Sequence, residues 1–233
     1  RRYGAGAGAS HLVSGHHAVH EALELELARF AGKPAALAFI SGYAANLALL
    51  TTLAGEGDAI FSDRLNHASI VDGARLSRAS VAIYPHADVD ALDALLGSSA
   101  ARQKLVVTDA VFSMDGDVAP LGALLALCQR HDALLLVDDA HGIGVCGPEG
   151  RGSTQALGLQ SDCIVYMGTL GKAAGLSGAF VAADPLIIDR LVQRARPYVF
   201  STAGSPALAH ATLTALELIR SADAERNRLG AHR

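Results

Sequence analysis

The chain has 233 residues, 51% of them hydrophobic, and its 19 basic and 23 acidic side chains give a net charge of −4. No uncharged apolar run reaches the about 20 residues that a membrane-spanning helix needs, and no block of basic residues suggests a nucleic-acid partner. The composition therefore argues against a membrane or a nucleic acid as partner. It leaves a globular chain with enough apolar material for a sizeable core.

Three cysteines, Cys128, Cys146 and Cys163, lie far apart and form no Cys-x-x-Cys pair. This pattern argues against a disulfide framework or a zinc site and is typical of proteins in a reducing cytosol. The sequence opens on Arg1-Arg2-Tyr3, with neither a methionine nor an apolar leader. We therefore expect it to be an internal piece of a longer protein.

Two features near the start resemble binding motifs but lack their context. The glycines of residues 4–10 could suggest a dinucleotide-binding loop, but that motif needs a preceding strand and an acidic residue about 20 positions later. We expect a flexible segment that passes close to another group. His16 and His20 have the spacing of metal ligands, but the His-Glu-x-x-His pattern is absent because position 17 is histidine. We expect a packed amphipathic helix with exposed imidazoles there.

Apolar runs alternate with segments of helical periodicity along the rest of the chain. The predicted strands are Leu37–Ile40, Ala59–Phe61, Val81–Tyr84, Leu105–Phe112, Leu134–Val137, Cys163–Met167 and Ala179–Ala182. The predicted helices are Ala44–Leu53, Ser69–Arg78, Val89–Leu96, Leu121–His131, Pro185–Arg194 and Pro206–Ile219, with Pro120 at a first helical position. Continuous apolar strands separated by helices indicate a mostly parallel sheet covered on both faces. We predict one α/β domain with an α/β/α layering over residues 1–233.

Ligands of open parallel sheets bind beyond the carboxyl ends of the strands, so the polar residues that follow each apolar run are informative. Ser41-Gly42-Tyr43 opens a helix whose N–H groups could hold a phosphate, although a plain helix cap explains the same residues. Asp138, Asp139 and His141 follow a buried strand, where charged groups are costly unless they have partners. Further along, a single lysine, Lys172, stands between glycines after another strand.

Each of these features is ambiguous alone, but together they fit one chemistry. A buried carboxylate can keep a pyridinium nitrogen protonated, a lysine can form a Schiff base with an aldehyde, and a helix N-terminus can take a phosphate. The set indicates pyridoxal 5'-phosphate (PLP). A nucleotide-binding phosphate loop is the alternative for Lys172, but it needs Gly-x-x-x-x-Gly-Lys-Ser/Thr. Position 166 is tyrosine and Ala173 follows the lysine, so that motif is absent.

The same residues resemble those of the α-oxoamine synthases, a fold-type I family of PLP enzymes, over essentially the whole chain. The shared segments are Ser41–Asn46, Asn66–Ser69, Val111–Asp117, Val137–Gly142, Gly150–Gly152 and Gly168–Lys172. The resemblance implies the large, cofactor-binding domain of a fold-type I transferase. It also implies a homodimer in the cytoplasm. The family's N-terminal segment and C-terminal small domain have no counterpart in these residues.

The resemblance assigns roles to individual residues. Lys172 would bind the cofactor covalently and move the substrate α-proton, Asp138 would pair with the ring nitrogen, and His67 would stack on the ring. These residues and His141 form the predicted catalytic group. The predicted cofactor-binding residues are Gly42, Tyr43, His67, Ser113, Asp138, His141, Thr169, Lys172 and Thr202. Among them, Thr202 would contact the phosphate of the partner subunit, and His141 and Ser113 would bond the phenolic oxygen.

The resemblance also implies a substrate class. The segment from Gly8 to Glu24 favours the family members that condense L-alanine with a pimeloyl thioester, on coenzyme A or a carrier protein, in biotin biosynthesis. Members that use glycine and a shorter acyl-CoA are the alternative, and a non-catalytic protein with the same fold is a further one. A non-catalytic protein would not need to keep Lys172 and Asp138. It would also not need His67 and His141, so their presence argues against this alternative. One departure is Asp109, where many relatives carry glutamate, followed by Ala110 in place of glycine.

Overall fold

The computed structural model describes residues 4–232, so Arg1-Arg2-Tyr3 lies outside the described part of the chain. Seven strands form one sheet in the order β1-β7-β6-β5-β4-β2-β3. Their bounds are β1 Ala35–Phe39, β2 Ala59–Asp63, β3 Ser80–Tyr84, β4 Lys104–Asp109, β5 Ala133–Asp138, β6 Ile164–Thr169 and β7 Ala179–Ala183. Only β7 runs antiparallel to its neighbours, β1 and β6. The predicted mostly parallel sheet is confirmed.

The helices follow the strands in the predicted alternation. Their bounds are α1 Ala18–Ala31, α2 Gly42–Leu53, α3 Ala68–Leu76, α4 Val89–Ser98, α5 Leu121–Arg130, α6 Ser153–Ala156, α7 Pro185–Arg194, α8 Arg196–Val199, α9 Pro206–Ser221 and α10 Asp223–Ala231. A π-helical turn at His11–Gly15 precedes α1, and a 3-10 turn at Pro148–Gly150 precedes α6. Among residues 4–232, no helix is long and apolar enough to cross a membrane.

Both faces of the sheet are covered, as the continuous apolar strands require. One face packs against α2, α3, α7 and α8, and Val165 and Met167 of β6 point to it. The alternate residues of the strands point the other way, where α4 and α5 cover β2, β4 and β5. There Tyr166 of β6 packs with α1 and α9 beside β7. Burial of one large apolar side chain in these layers contributes about 1.5–3 kcal/mol.

Three local predictions are wrong. Strand β4 ends at Asp109 instead of reaching Phe112, because Val111 pairs with Val118 in a separate small hairpin. Pro120 is the residue before α5 and not its first helical residue. His20 was expected to be exposed but is only 2% exposed. Its Nε2 bonds the Gly204 carbonyl at 2.9 Å.

The glycine-rich segment of residues 4–10 passes close to another part of the chain, as expected. Ser10 forms an isolated bridge with Thr202, and the N–H of Ala203 donates to the Ala9 carbonyl at 3.0 Å. Ser205 Oγ donates to the Ala5 carbonyl at 2.5 Å. The segment therefore docks against the loop before α9 and does not join a strand to a helix.

Candidate active site

A cleft of about 200 Å³ opens at the carboxyl edge of the sheet. Its lining residues are Gly42, Tyr43, Asn46, His67, Ser69, Asp109, Ser113, Asp138, Ala140, His141, Met167, Thr169 and Lys172. This edge is where the carboxyl ends of β1, β2, β4, β5 and β6 meet, and ligands bind there in open α/β sheets. Of the nine residues singled out from the sequence, eight lie in this one cleft. The ninth, Thr202, does not.

The register of the strands sets the floor of the cleft. Asp138 of β5 pairs with Asp109 of β4 on one side and with Met167 of β6 on the other. Thr169, at the end of β6, lies on the same edge. Each of these side chains follows a run of apolar residues whose burial fixes the strand, so their positions depend on the core and not on loop geometry.

The adjacent carboxylates Asp138 and Asp139 point to different places. Asp138 is 4% exposed and faces the cleft, where Asn46 Nδ2 donates to it at 2.7 Å and the Ala140 N–H donates to it at 3.0 Å. Burial raises the pKa of Asp138, and the Asn46 bond opposes that effect. Asp138 is therefore a buried acceptor whose charge a cationic group in the cleft would stabilise.

Asp139 has a structural role, because its carboxylate is fully buried away from the cleft. It accepts the Ser153 N–H and hydroxyl at 2.6 Å each and the Tyr166 hydroxyl at 2.9 Å. Burial raises its pKa to about 6 despite these bonds. A Cβ at Gly142 would lie 2.0 Å from an Asp139 oxygen, so glycine is needed there to let the following turn close over the carboxylate.

Lys172 and His141 meet across the mouth of the cleft. The Lys172 Nζ lies 2.7 Å from the His141 Nε2. Burial lowers the pKa of Lys172, while the charges of Asp138 and Asp109 oppose that shift. Burial and the neighbouring Lys172 charge lower the pKa of His141. Both shifts favour neutral nitrogen bases, which is the state in which an amine can act as a nucleophile or accept a proton.

Asp109 was noticed in the sequence only as a departure from the family pattern, and the structure places it in the cleft. It is 7% exposed and accepts the His67 backbone N–H at 3.1 Å. Burial, and then the charge of Asp138, raise its pKa to about 8. Two buried carboxyl groups on neighbouring strands cannot both ionise cheaply, so Asp109 holds its proton at neutral pH.

This pKa predicts a pH-dependent effect of Asp109→Asn on stability. The folded state binds the Asp109 proton between pH 4 and pH 8, whereas the unfolded chain has lost it above about pH 4. Folding stability therefore falls as the pH rises through this window, and asparagine removes that cost. We expect Asp109→Asn to match the wild type near pH 4 and then to gain on it by up to about 1.4 kcal/mol per pH unit as the pH approaches 8, measured by urea unfolding.

The control for this comparison is Asp162→Asn, since Asp162 is an exposed carboxylate outside the cleft. Between pH 4 and pH 8.5, Asp109→Asn should gain more stability relative to the wild type than this control does. A constant difference between Asp109→Asn and the wild type from pH 4 to pH 8.5 would show that Asp109 ionises normally in the folded protein.

The start of α2 presents an anion site to the cleft. Ser41 caps the helix by accepting the Ala44 N–H at 3.1 Å, and its carbonyl accepts the Ala45 N–H. The N–H groups of Gly42 and Tyr43 have no bond to any group among residues 4–232 and remain for a ligand. A Cβ at Gly42 would stand 3.9 Å from the Thr169 hydroxyl, so a side chain there would fill the space between the helix start and Thr169.

Residues that the sequence did not single out complete the cleft. Asn46 is fully buried, and besides bonding Asp138 its Nδ2 donates to the Ser69 hydroxyl at 2.9 Å. Its Oδ1 is buried without a partner. Asn46 lies four residues after Gly42, which places both on the same face of α2. That spacing is the signal that could have identified it. Ser69 also bonds the His67 Nδ1 at 2.7 Å and so orients the imidazole.

Thr202 lies outside the cleft, beside Ser10 and close to His11 and Tyr198. The prediction for this residue concerned a partner subunit and stays a prediction. Among residues 4–232, no group of three histidine, cysteine or acidic side chains is arranged to hold a metal ion.

The model of the family "Aminotransferase class I and II" matches residues 2–233. The chain belongs to this family. A curated relative from Azoarcus sp. (strain BH72), 8-amino-7-oxononanoate synthase, is 58% identical over 98% of this chain and 58% of its own length. The resemblance drawn from the sequence motifs and the predicted fold-type I class are thereby confirmed.

Solved structures of the aminotransferase class I and II family give the same architecture. The chain is similar to serine palmitoyltransferase from S. paucimobilis with a bound PLP–myriocin adduct, at a TM-score of 0.94 and 35% identity over 99% of this chain and 60% of that one. It is also similar to 8-amino-7-oxononanoate synthase from Francisella tularensis, at a TM-score of 0.84 and 33% identity over 98% and 64%. The chain thus spans about 58% of the length of the first curated relatives it matches.

Proposed function

We propose that the cleft binds PLP and that the chain is the cofactor-binding large domain of a PLP-dependent acyltransferase. The observation that carries this proposal is the meeting of three groups in one cleft: the buried Asp138, the Lys172 amine and the free N–H groups at the start of α2. Because these groups line a single cavity, they can contact the ring nitrogen, the aldehyde and the phosphate of one small molecule. When bound, PLP acts as an electron sink for negative charge at the α-carbon of an amino acid.

Each end of the cofactor would have its own partners. Gly42 and Tyr43 would donate N–H groups to the phosphate, and the Thr169 hydroxyl would lie beside it. Asp138 would accept a hydrogen bond from the protonated ring nitrogen, with Asn46 holding the carboxylate in place. The ion pair would offset the burial that otherwise raises the pKa of Asp138. His67 and Ser113 would contact the ring from the two loops that flank it.

Lys172 would serve as the covalent anchor and as the base that moves the α-proton. A lysine in these roles must be neutral part of the time, and burial already lowers its pKa. His141 accepts a hydrogen bond from the amine at 2.7 Å and so aims the nitrogen into the cleft. A positioned base of this kind contributes about 10²–10⁴-fold to a proton-transfer rate.

For the reaction, we propose condensation of L-alanine with a pimeloyl thioester to give 8-amino-7-oxononanoate, carbon dioxide and the free thiol. The identity of 58% to the Azoarcus synthase supports this substrate pair. The acyl carrier would be coenzyme A or a carrier protein. A sister reaction with glycine is the alternative, because the cleft residues serve the shared chemistry and do not distinguish the two amino acids.

We further propose a homodimer in the cytoplasm, in which Thr202 reaches the phosphate of the partner subunit. Thr202 is exposed and lies outside its own cleft, which fits a contact made across an interface. Cys128 and Cys163 are free thiols, as is typical of a reducing compartment.

The substrate pair is tested by product formation in the purified full-length protein. We expect kcat/KM for L-alanine with pimeloyl-CoA to exceed that for glycine with pimeloyl-CoA by at least about 10-fold, because one methyl group in a fitted pocket is worth that much. The Lys172→Ala variant is the blank for both assays. A preference for glycine with acetyl-CoA would refute the assignment while leaving the PLP site intact.

A further inference from the structure

Outside the proposed cofactor contacts, one histidine links the two loops that flank the cleft. His86 follows β3, and its Nδ1 lies 3.0 Å from Asp63 Oδ1 while its Nε2 lies 2.7 Å from Asp117 Oδ2. Each ring nitrogen therefore faces a carboxylate oxygen, which can only accept. While both carboxyl groups are ionised, both bonds form together only if both nitrogens carry protons, so the geometry favours an imidazolium.

The first carboxylate belongs to the loop that carries His67. Asp63 ends β2, is 3% exposed, and accepts the N–H groups of Leu65 and Ala87 at 2.8 Å each. Its bond to Leu65 fixes the turn immediately before His67. Ala87, next to His86, has a φ of 55°, a conformation that costs an alanine about 1 kcal/mol or more. The bond to Asp63 helps to hold this conformation.

The second carboxylate belongs to the hairpin of residues 111–118, which we call the Ser113 hairpin. It is closed by its own backbone bonds, from Phe112 N–H to the Asp117 carbonyl at 3.0 Å and from Gly116 N–H to the Phe112 carbonyl at 2.9 Å. Its tip carries Ser113, which lines the cleft. The Asp117 side chain depends on His86, because Asp117 Oδ1 is buried without a partner and Oδ2 bonds the imidazole.

The charged partners of the His86 ring are the two carboxylates. Its ring packs edge-on against Phe112, with ring centroids 4.4 Å apart. Asp63 and Asp117 are the charged groups that contact it, and they raise its pKa although partial burial lowers it. Of the other charged residues on these segments, Asp88 caps α4 through the Ala91 N–H. Arg64 is exposed and makes no contact with the imidazole among the interactions of the described residues.

We propose that His86 is a positioning residue that, as an imidazolium between Asp63 and Asp117, fixes the Ser113 hairpin against the His67 loop. It touches no group in the cleft and acts through these two loops. Loss of the proton removes a donor from one of the two bonds and frees the hairpin to move relative to the sheet. Its consequence for the cofactor rests on the proposed function, since Ser113 and His67 matter there only if PLP binds in the cleft.

The first test measures the protein without cofactor. We expect ¹⁵N NMR to show both His86 nitrogens protonated below a titration midpoint that lies above the usual 6.5 of histidine. Hydrogen-exchange protection factors of residues 111–118 should stay constant below that midpoint and fall above it. In His86→Gln they should be at least about 10-fold lower than in the wild type at pH 7, and they should no longer change with pH. Asp117→Asn should lower the His86 midpoint while the Asp63 bond remains.

The matched control is His131→Gln. His131 also bonds a carboxylate, Asp93, through Nε2, but it precedes β5 at the edge of the sheet opposite the cleft. This variant should keep the wild-type protection and its pH dependence in the Ser113 hairpin. An ordinary His86 midpoint, or unchanged protection of residues 111–118 in both His86→Gln and Asp117→Asn, would overturn the proposal.

A PLP titration then separates this inference from the proposed function. If both are correct, His86→Gln and Asp117→Asn weaken PLP binding several-fold with the His131→Gln control unchanged. If the wild type does not bind PLP, the proposed function fails, and the exchange data still decide the role of His86. If PLP binding is identical in all variants although the hairpin loosens, the hairpin does not position the cofactor and that part of the inference is wrong.

Discussion

The Lys172→Ala variant is expected to fold normally and to lose turnover by at least about 10³-fold. Lys172 lies on an exposed loop after β6, and its amine bonds only the His141 ring among the described residues. Its removal therefore leaves the core untouched. Without the amine, PLP would have no covalent anchor and the α-proton no base. The measurement is turnover together with PLP retention after gel filtration, with unfolding followed by circular dichroism.

The control for this variant is Lys33→Ala. The Lys33 ammonium donates to the Ser161 carbonyl at 2.7 Å, at the edge of the sheet away from the cleft, and burial lowers its pKa as it does for Lys172. Lys33→Ala should keep both turnover and PLP. Wild-type turnover in Lys172→Ala would mean that the base lies elsewhere.

The Asp138→Asn variant is expected to lose at least about 10²-fold in turnover and to bind PLP more weakly. Asparagine fills the same space and can still accept the Ala140 N–H. A flip of the Asn46 amide would let the unpartnered Asn46 Oδ1 accept from the new amide nitrogen. The substitute nevertheless offers no negative charge to a protonated ring nitrogen. Because burial raises the pKa of Asp138, the neutral substitute should fold at least as stably near neutral pH. Turnover and PLP affinity should thus fall while the stability of the fold does not. This combination distinguishes the loss of a cofactor contact from a loss of folding.

The neighbouring Asp139→Asn variant provides the contrast. Asp139 accepts three bonds from Ser153 and Tyr166 and faces away from the cleft. Its replacement by asparagine should destabilise the fold by about 1–3 kcal/mol. An asparagine side chain has one acceptor oxygen where the carboxylate has two, so it cannot accept all three of these bonds. The absorption band of PLP bound to the folded fraction of the protein should be unchanged. If Asp139→Asn altered PLP binding and Asp138→Asn did not, the assignment of the two carboxylates would be reversed.

The sheet was predictable because each strand is a short apolar run bounded by polar residues. The antiparallel direction of β7 was not predictable, because the apolar run of residues 179–182 has the same pattern in either direction. The end of β4 was misjudged for a similar reason. Val111 and Phe112 are apolar and buried, but they belong to the Ser113 hairpin, and burial alone does not distinguish a strand from a packed turn.

The cleft was predictable as far as it lies at strand ends. Lys172, Asp138 and His141 follow apolar runs directly, so a sheet of parallel strands brings them to one edge. Asn46 and Asp109 were not identified as site residues, because their roles depend on the side chains that they face. The strand register and the packing of α2 determine those neighbours. The buried His20 bonds Gly204, which is 184 positions away in the sequence, so no local pattern could reveal that contact.

The central claim is that PLP is held through Lys172, and reductive trapping tests it most directly. The chain has three lysines, Lys33, Lys104 and Lys172, and the first two lie away from the cleft with their amines bonded to backbone carbonyls. The protein is incubated with PLP, reduced with borohydride, digested and mapped by mass spectrometry. We expect the pyridoxyl group on Lys172 alone and no label in Lys172→Ala. A label on Lys33 or Lys104 in preference to Lys172, or no label in the wild type, would contradict the account.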